Sequence, residues 1–133
     1  MKILRSNEGQ SLVEFAIILP ILLMLIMGIL EFGIMLNSYL SVRNASREGA
    51  RVAIVGSTDI EIKNLILTIS PSLNSTDLTV VVTPSAGSRK SGDPITVEVQ
   101  YNYHFTVPII SGIFGSGVVL KAQTIMRIEW VVG

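Results

Sequence analysis

The apolar positions of this chain form one long block followed by two alternating runs. Residues 10–36 read QSLVEFAIILPILLMLIMGILEFGIML, with Glu14 and Glu31 as their only ionisable groups and sixteen uncharged residues between those two. A hydrocarbon core of about 30 Å takes about 20 apolar helical residues to cross, so the block predicts a membrane helix. A cleaved secretory signal needs a short apolar core followed by small residues, whereas Glu31, Phe32 and Gly33 follow a longer run here. The apolar segment is therefore expected to stay in the mature protein. Beyond Leu36 the pattern turns amphipathic without a helix stop until Gly56, Ser57 and Thr58. Arg43, Arg47 and Arg51 recur at i, i+4 and i+8 on one face, while Ala45, Gly49, Val52 and Ala53 lie towards another. The expectation is one rod of about 45 residues, about 65 Å long, whose outer half leaves the bilayer and shows its arginines to solvent.

Residues 59–70, DIEIKNLILTIS, predict a second, short helix. Ser57 or Thr58 would cap it, Asp59 and Glu61 suit its first turn, and Pro71 stands just past its end. LTVVVT at 78–83 is β-branched and reads as a strand. PSAGSRKSGDP has the punctuation of a hairpin loop, with Arg89 and Lys90 in a solvated tip. Ile95, Val97, Val99, Tyr101, Tyr103 and Phe105 then alternate with polar residues in a long half-buried strand. VPIISGIFGSG reads as an apolar loop, short of a second span, that dips towards the bilayer or packs under the rod. Residues 118–132 alternate again as a third strand, with Trp130 facing inward. The predicted fold is α+β: a long N-terminal transmembrane helix continuing into an extracytoplasmic domain with a short helix and a three-stranded antiparallel sheet. Its expected divisions are a leader at 1–9, a membrane helix at 10–36, the extracytoplasmic continuation of that helix at 37–56, and a small domain at 57–133.

Charge and composition mainly remove alternatives. Ten basic and ten acidic residues cancel, so no global basic field points to a nucleic-acid partner. There is no cysteine and one histidine, which excludes disulfides and thiolate chemistry and argues against a metal site or cofactor. His104 sits on the polar side of its strand and reads as a surface residue. No nucleophile elbow or phosphate loop is present, and GSRKSGDP lacks the strand and helix that a phosphate loop needs. Neither an enzyme nor a small-molecule binding site is expected.

The most specific signal lies where the leader MKILRSNEG meets Gln10-Ser11-Leu12-Val13-Glu14-Phe15. A carboxylate one turn into a membrane helix is costly and is by default functional or paired. A short leader ending in Gly9, with Glu14 five residues into the chain that follows, resembles the processing site of type IV prepilins. The run GQSLVEFAIILPILLMLIMGILEFG, then REGARVA, PITVEVQYNY and VVLKAQTIMRIEW, is similar over nearly the whole chain to the TadE-like proteins of tight-adherence pilus loci.

That resemblance implies a minor pilin or pseudopilin, cut by a prepilin peptidase between Gly9 and Gln10 with Phe15 part of the same motif. In it Glu14 pairs with the terminal amine of a neighbouring subunit. Glu31, close to where the helix should emerge, reads either as an interfacial carboxylate or as a subunit contact. Pro20 removes one helical hydrogen bond and should bend or loosen the rod. Arg43, Arg47 and Arg51 could meet a neighbour instead of solvent. The implied partners are the peptidase, other pilin or pseudopilin subunits, the pilus assembly platform and membrane lipid. Lys2 and Arg5 on one flank against three arginines on the other leave orientation unsettled by charge. A site that meets a cytoplasmic-side peptidase implies a single-pass protein of the cytoplasmic membrane, N-terminus in and C-terminal domain out, with incorporation into the pilus. The alternatives are an uncleaved single-pass component of the pilus or secretion machinery and a membrane-tethered adhesin.

Overall fold

The computed structural model describes residues 7–129. Its first element, α1 (Asn7–Ala53), is one unbroken helix of 47 residues, about 70 Å long at 1.5 Å per residue. The helix has two halves with different surroundings. Its N-terminal half exposes nearly every large apolar side chain, from Leu12 to Leu30, and none of its most apolar stretch is buried within the fold. Its C-terminal half buries Ser38, Val42, Ala45, Ser46, Gly49, Ala50 and Ala53, a stripe at helical spacing. Pro20 lies within α1 without interrupting it.

A turn through Gly56 (φ 100°) leads into α2 (Asp59–Ile69). Thr58 caps α2 reciprocally: its hydroxyl accepts from the Glu61 N–H at 3.3 Å, and its own N–H donates to the Glu61 carboxylate at 2.8 Å. That backbone hydrogen bond holds the Glu61 carboxyl below its ordinary pKa. Three strands follow, β1 (Leu78–Thr83), β2 (Pro94–His104) and β3 (Gly117–Arg127), paired antiparallel in the order β1-β2-β3. The register sets Val80 opposite Val99 and Val99 opposite Ala122, so one face of the sheet gathers the apolar positions. Ile95, Val97 and Val99 of that face are fully buried against Val42, Ala45 and Ala50 of α1 and Ile62 and Ile66 of α2.

Gly49 marks the closest approach in this core. A Cβ there would stand 2.8 Å from Ile66 Cδ1 and 3.1 Å from Val97 Cγ1, so any side chain at 49 must push α2 and β2 side chains aside. Beside it Ser46 is buried without an unsatisfied hydroxyl: it donates to the Val97 carbonyl at 2.8 Å and lies 2.9 Å from Thr124 Oγ1.

Three local expectations are corrected. The VPIISGIFGSG stretch contains a helix, α3 (Pro108–Phe114), instead of a pure loop. Pro108 presets its first turn, and Gly115 at φ 91° closes it. Arg89 is buried, not a solvated tip, while Lys90 is exposed. The Arg89 guanidinium donates to the Pro84 carbonyl at 3.1 Å, to the Ser57 carbonyl at 2.6 Å and to the Asp59 carboxylate, fastening the hairpin onto the start of α2. The third strand ends at Arg127. Ile128 leaves the ladder to donate to the Asp93 carbonyl at 2.9 Å, and Glu129 donates to Ile54 O at 3.2 Å, tying the strand's end to the end of α1. Trp130, Lys2 and Arg5 lie outside the described residues.

Replacing Gly49 by Val should destabilise the domain by about 1–3 kcal/mol through overpacking. Gly49→Ala should cost less, because the nearest atom, Ile66 Cδ1, is the free end of a flexible side chain. Pulse proteolysis of the full chain across a urea series in detergent measures both.

Candidate functional site

Two carboxylates interrupt the apolar half of α1, and the fold treats them differently. Glu31 is 3% exposed although α1 around it is open, with Phe32 59% exposed next to it. Its carboxylate is covered by the β2–α3 connection, more than seventy residues later in the chain. Tyr103 Oη donates to Glu31 Oε1 at 2.6 Å. The Thr106 N–H donates across both oxygens at 3.0 and 3.2 Å, and the Val107 N–H donates to Oε2 at 2.9 Å. These bonds supply what a carboxylate near hydrocarbon requires, donors on both oxygens and little water. They also fix the turn from which α3 starts. Burial first, and the facing Glu31 carboxylate second, push the Tyr103 phenol up to about 12.

Around this junction the end of the sheet is closed tightly. Tyr103 and Phe105 pack edge to face with ring centroids 5.9 Å apart. The Phe105 N–H donates to Ser116 O at 3.1 Å, and β3 begins on Gly117, where a Cβ would collide with the Tyr103 carbonyl. Glu31, expected as an interfacial carboxylate or a subunit contact, thus has its donors within its own chain. The pattern at 10–36 carried no signal for this, because the donors come from an apolar turn and an aromatic hydroxyl far along the sequence.

Glu14 has no such shelter. It is exposed, and among the described residues its carboxylate accepts only a long 3.4 Å hydrogen bond from the Gln10 side-chain amide one turn earlier. Phe15 beside it is 58% exposed. Gly9 and Gln10 lie in the first turns of α1, in helical instead of extended backbone. Arg43, Arg47 and Arg51 are exposed along one line of the outer half, with Arg51 Nε 3.7 Å from the Glu48 carboxylate. The arginine stripe is therefore solvated in the single chain, opposite the stripe of small residues that meets the sheet. Among the described residues no cluster of acidic or histidine side chains could hold a metal ion.

One family model, described as TadE-like protein, matches residues 9–51, a range that takes in the exposed apolar rod, Glu14 and the REGAR run. Residues 9–51 are TadE-like. The match takes in about a third of the chain and ends two residues before α1 does. No curated protein and no solved structure matches the chain. TadE-like proteins are structural components of tight-adherence pilus systems, and the exposed apolar helix fits a single-pass membrane protein. Within the TadE-like segment the structure gives the REGAR run a packing role. Gly49 and Ala50 are buried at the crossing with α2 and β2, while Arg47 and Arg51 point to solvent.

Glu31→Gln should leave the helix intact and loosen the junction, since the amide nitrogen would face N–H donors and leave at least one unsatisfied, a loss of about 1–3 kcal/mol. Faster amide exchange at Thr106 and Val107 in the full chain is the readout. The raised Tyr103 pKa predicts a further alkaline effect. Above an unfolded phenol value of about 10 the unfolded chain releases a proton that the folded chain keeps, so stability should fall as pH rises from about 10 towards about 12. Urea midpoints at about pH 9 and about pH 11 test it, and Tyr103→Phe should remove that part of the difference.

Proposed function

We propose that this chain is a minor pilin or pseudopilin that assembles through its N-terminal helix into or onto a tight-adherence pilus, with its α+β domain held outside the cytoplasmic membrane as a cap or initiation surface. The observation that carries the reading is the exposed carboxylate of Glu14 on an otherwise apolar helix whose sequence is TadE-like. Each half of a carboxylate–amine pair is expensive in lipid alone. Brought together between subunits, the charges compensate one another and set the register of adjacent helices. In this reading a prepilin peptidase cuts between Gly9 and Gln10, Phe15 belongs to the recognised segment, and residues 10–36 span the bilayer. Residues 37–56 continue the helix beyond it, and the domain at 57–133 lies on that outer side. Pro20 leaves the Ala16 carbonyl without its helical donor, a place where the rod can adjust on entering a filament. The line of Arg43, Arg47 and Arg51 is available to acidic groups of a neighbouring subunit or of the assembly platform.

The uncleaved alternative has one observation in its favour. The helix runs from Asn7 through Gly9 and Gln10, so a peptidase would have to unwind the first turn to reach the bond. Helix ends open at small cost, and Gly9 is the residue least opposed to an extended backbone. N-terminal sequencing of the protein from its native membrane separates the two, Gln10 at the mature end supporting processing and an intact leader supporting the uncleaved component. A membrane-tethered adhesin instead predicts intact pili but lost adhesion when the β-domain is deleted.

Glu14→Ala should still insert into the membrane yet fail to support assembly, seen as loss of pili by electron microscopy in a deletion strain complemented with the variant. Normal piliation would remove the pairing argument.

A further inference from the structure

We propose that α3 and its flanking turns form a second, shallow membrane contact, seated in the outer leaflet beside α1. The inference rests on α1 spanning the bilayer. Counting along α1 gives the depth. A core of about 30 Å takes about 20 helical residues, so a span that starts between Gln10 and Glu14 reaches its outer boundary at about residues 30–34. Met24 and Gly28 lie below that boundary on either count. Both line a single apolar groove of about 510 Å³ whose opposite wall is Ile110, Ile113 and Phe114 of α3. A helix that shares a groove with Met24 cannot stand in water while Met24 stands in lipid.

The chemistry of the segment agrees with its depth. Residues 105–120 contain no charged side chain, and Lys121 is the first after them. Ile109, Ile113 and Phe114 are 49%, 67% and 72% exposed, and they share the groove with the exposed Phe32 of α1. The equally exposed Ile60 on α2 is flanked in sequence by the charged residues Asp59, Glu61 and Lys63. In lipid the backbone must be satisfied internally. The Thr106 and Val107 N–H groups are taken by Glu31, those of Ile110 and Ser111 by the Val107 carbonyl, and that of Phe105 by Ser116 O. The Ser111 hydroxyl donates to the Pro108 carbonyl at 2.8 Å, hiding the one side-chain polar group of α3. Glu31 thus holds this contact at a set depth as well as closing the fold.

The chain has no cysteine, so single substitutions Ile113→Cys, Ile60→Cys and Ile21→Cys each accept one polarity-sensitive fluorophore. The full chain is reconstituted in phosphatidylcholine–phosphatidylglycerol vesicles with and without acyl-chain-brominated lipid, with iodide supplied on both sides. The expected result is that labels at 21 and 113 lose most of their emission to brominated lipid and are protected from iodide, while the label at 60 shows the reverse. A label at 113 that behaves like the one at 60, with 21 still quenched by lipid, overturns the proposal and leaves the span standing. A label at 113 shielded from both quenchers also overturns it and assigns the groove to a second protein chain. Iodide access at 21 defeats the span itself and the inference with it. Phe114→Cys repeats the measurement should Ile113→Cys disturb folding.

Discussion

A carboxylate cannot lie against hydrocarbon without donors, and the donors that Glu31 finds are supplied by the far end of the fold. Tyr103, Thr106 and Val107 converge on it from a segment that is itself apolar. That interaction ties the domain to its rod near the end of the exposed apolar run. Further out, the contact between α1 and the sheet is made by small residues, Ala45, Gly49, Ala50 and Ala53, which give area and close approach but little directionality. The Glu31 cluster adds direction: short, charge-assisted bonds with defined geometry. Without it, the stripe of small residues would still bury, but the β2–α3–β3 end of the sheet would be free to swing from the helix.

The same constraint explains why α1 reads so differently along its length. Its inner half needs only to be apolar all round, and nearly all its large apolar side chains are exposed to whatever surrounds the helix. Its outer half packs one narrow face on the sheet and leaves the other exposed, which is why small residues and arginines alternate at helical spacing. The TadE-like match spans both regimes, from Gly9 to Arg51, so the recognisable sequence is the part of the chain that obeys two sets of rules at once.

Much of the fold was legible because its signals are local. β2 alternates strictly and β3 does so apart from Val119 and Ile125, Thr58 and Glu61 announce the start of α2, and the unbroken run through residue 53 predicts a rod. What escaped was decided over long distances or in too few residues. α3 has seven residues with a glycine inside, too short for a helical period to declare itself, and only Pro108 at its first position signals it. Arg89 sits among Gly, Ser and Lys, a context that reads as solvent, yet its partners Ser57 and Asp59 are thirty residues earlier. The environment of Glu31 depends on residues 72 to 76 positions away and could not be read from its neighbours.

The contrast between the two carboxylates of the rod narrows where an assembly contact can lie. Glu31 has a phenol and two backbone amides on its oxygens and is almost completely covered, so a partner chain would have to displace bonds that close the fold. Among the described residues Glu14 has one distant amide, and its side chain is exposed. A cation brought by a neighbour therefore gains far more at Glu14, where it relieves a charge the fold has left exposed, than at Glu31, where the compensation is already made. In the proposed filament subunit the two glutamates thus divide the work: the outer one fixes the domain to the rod, and the inner one remains open for the next rod.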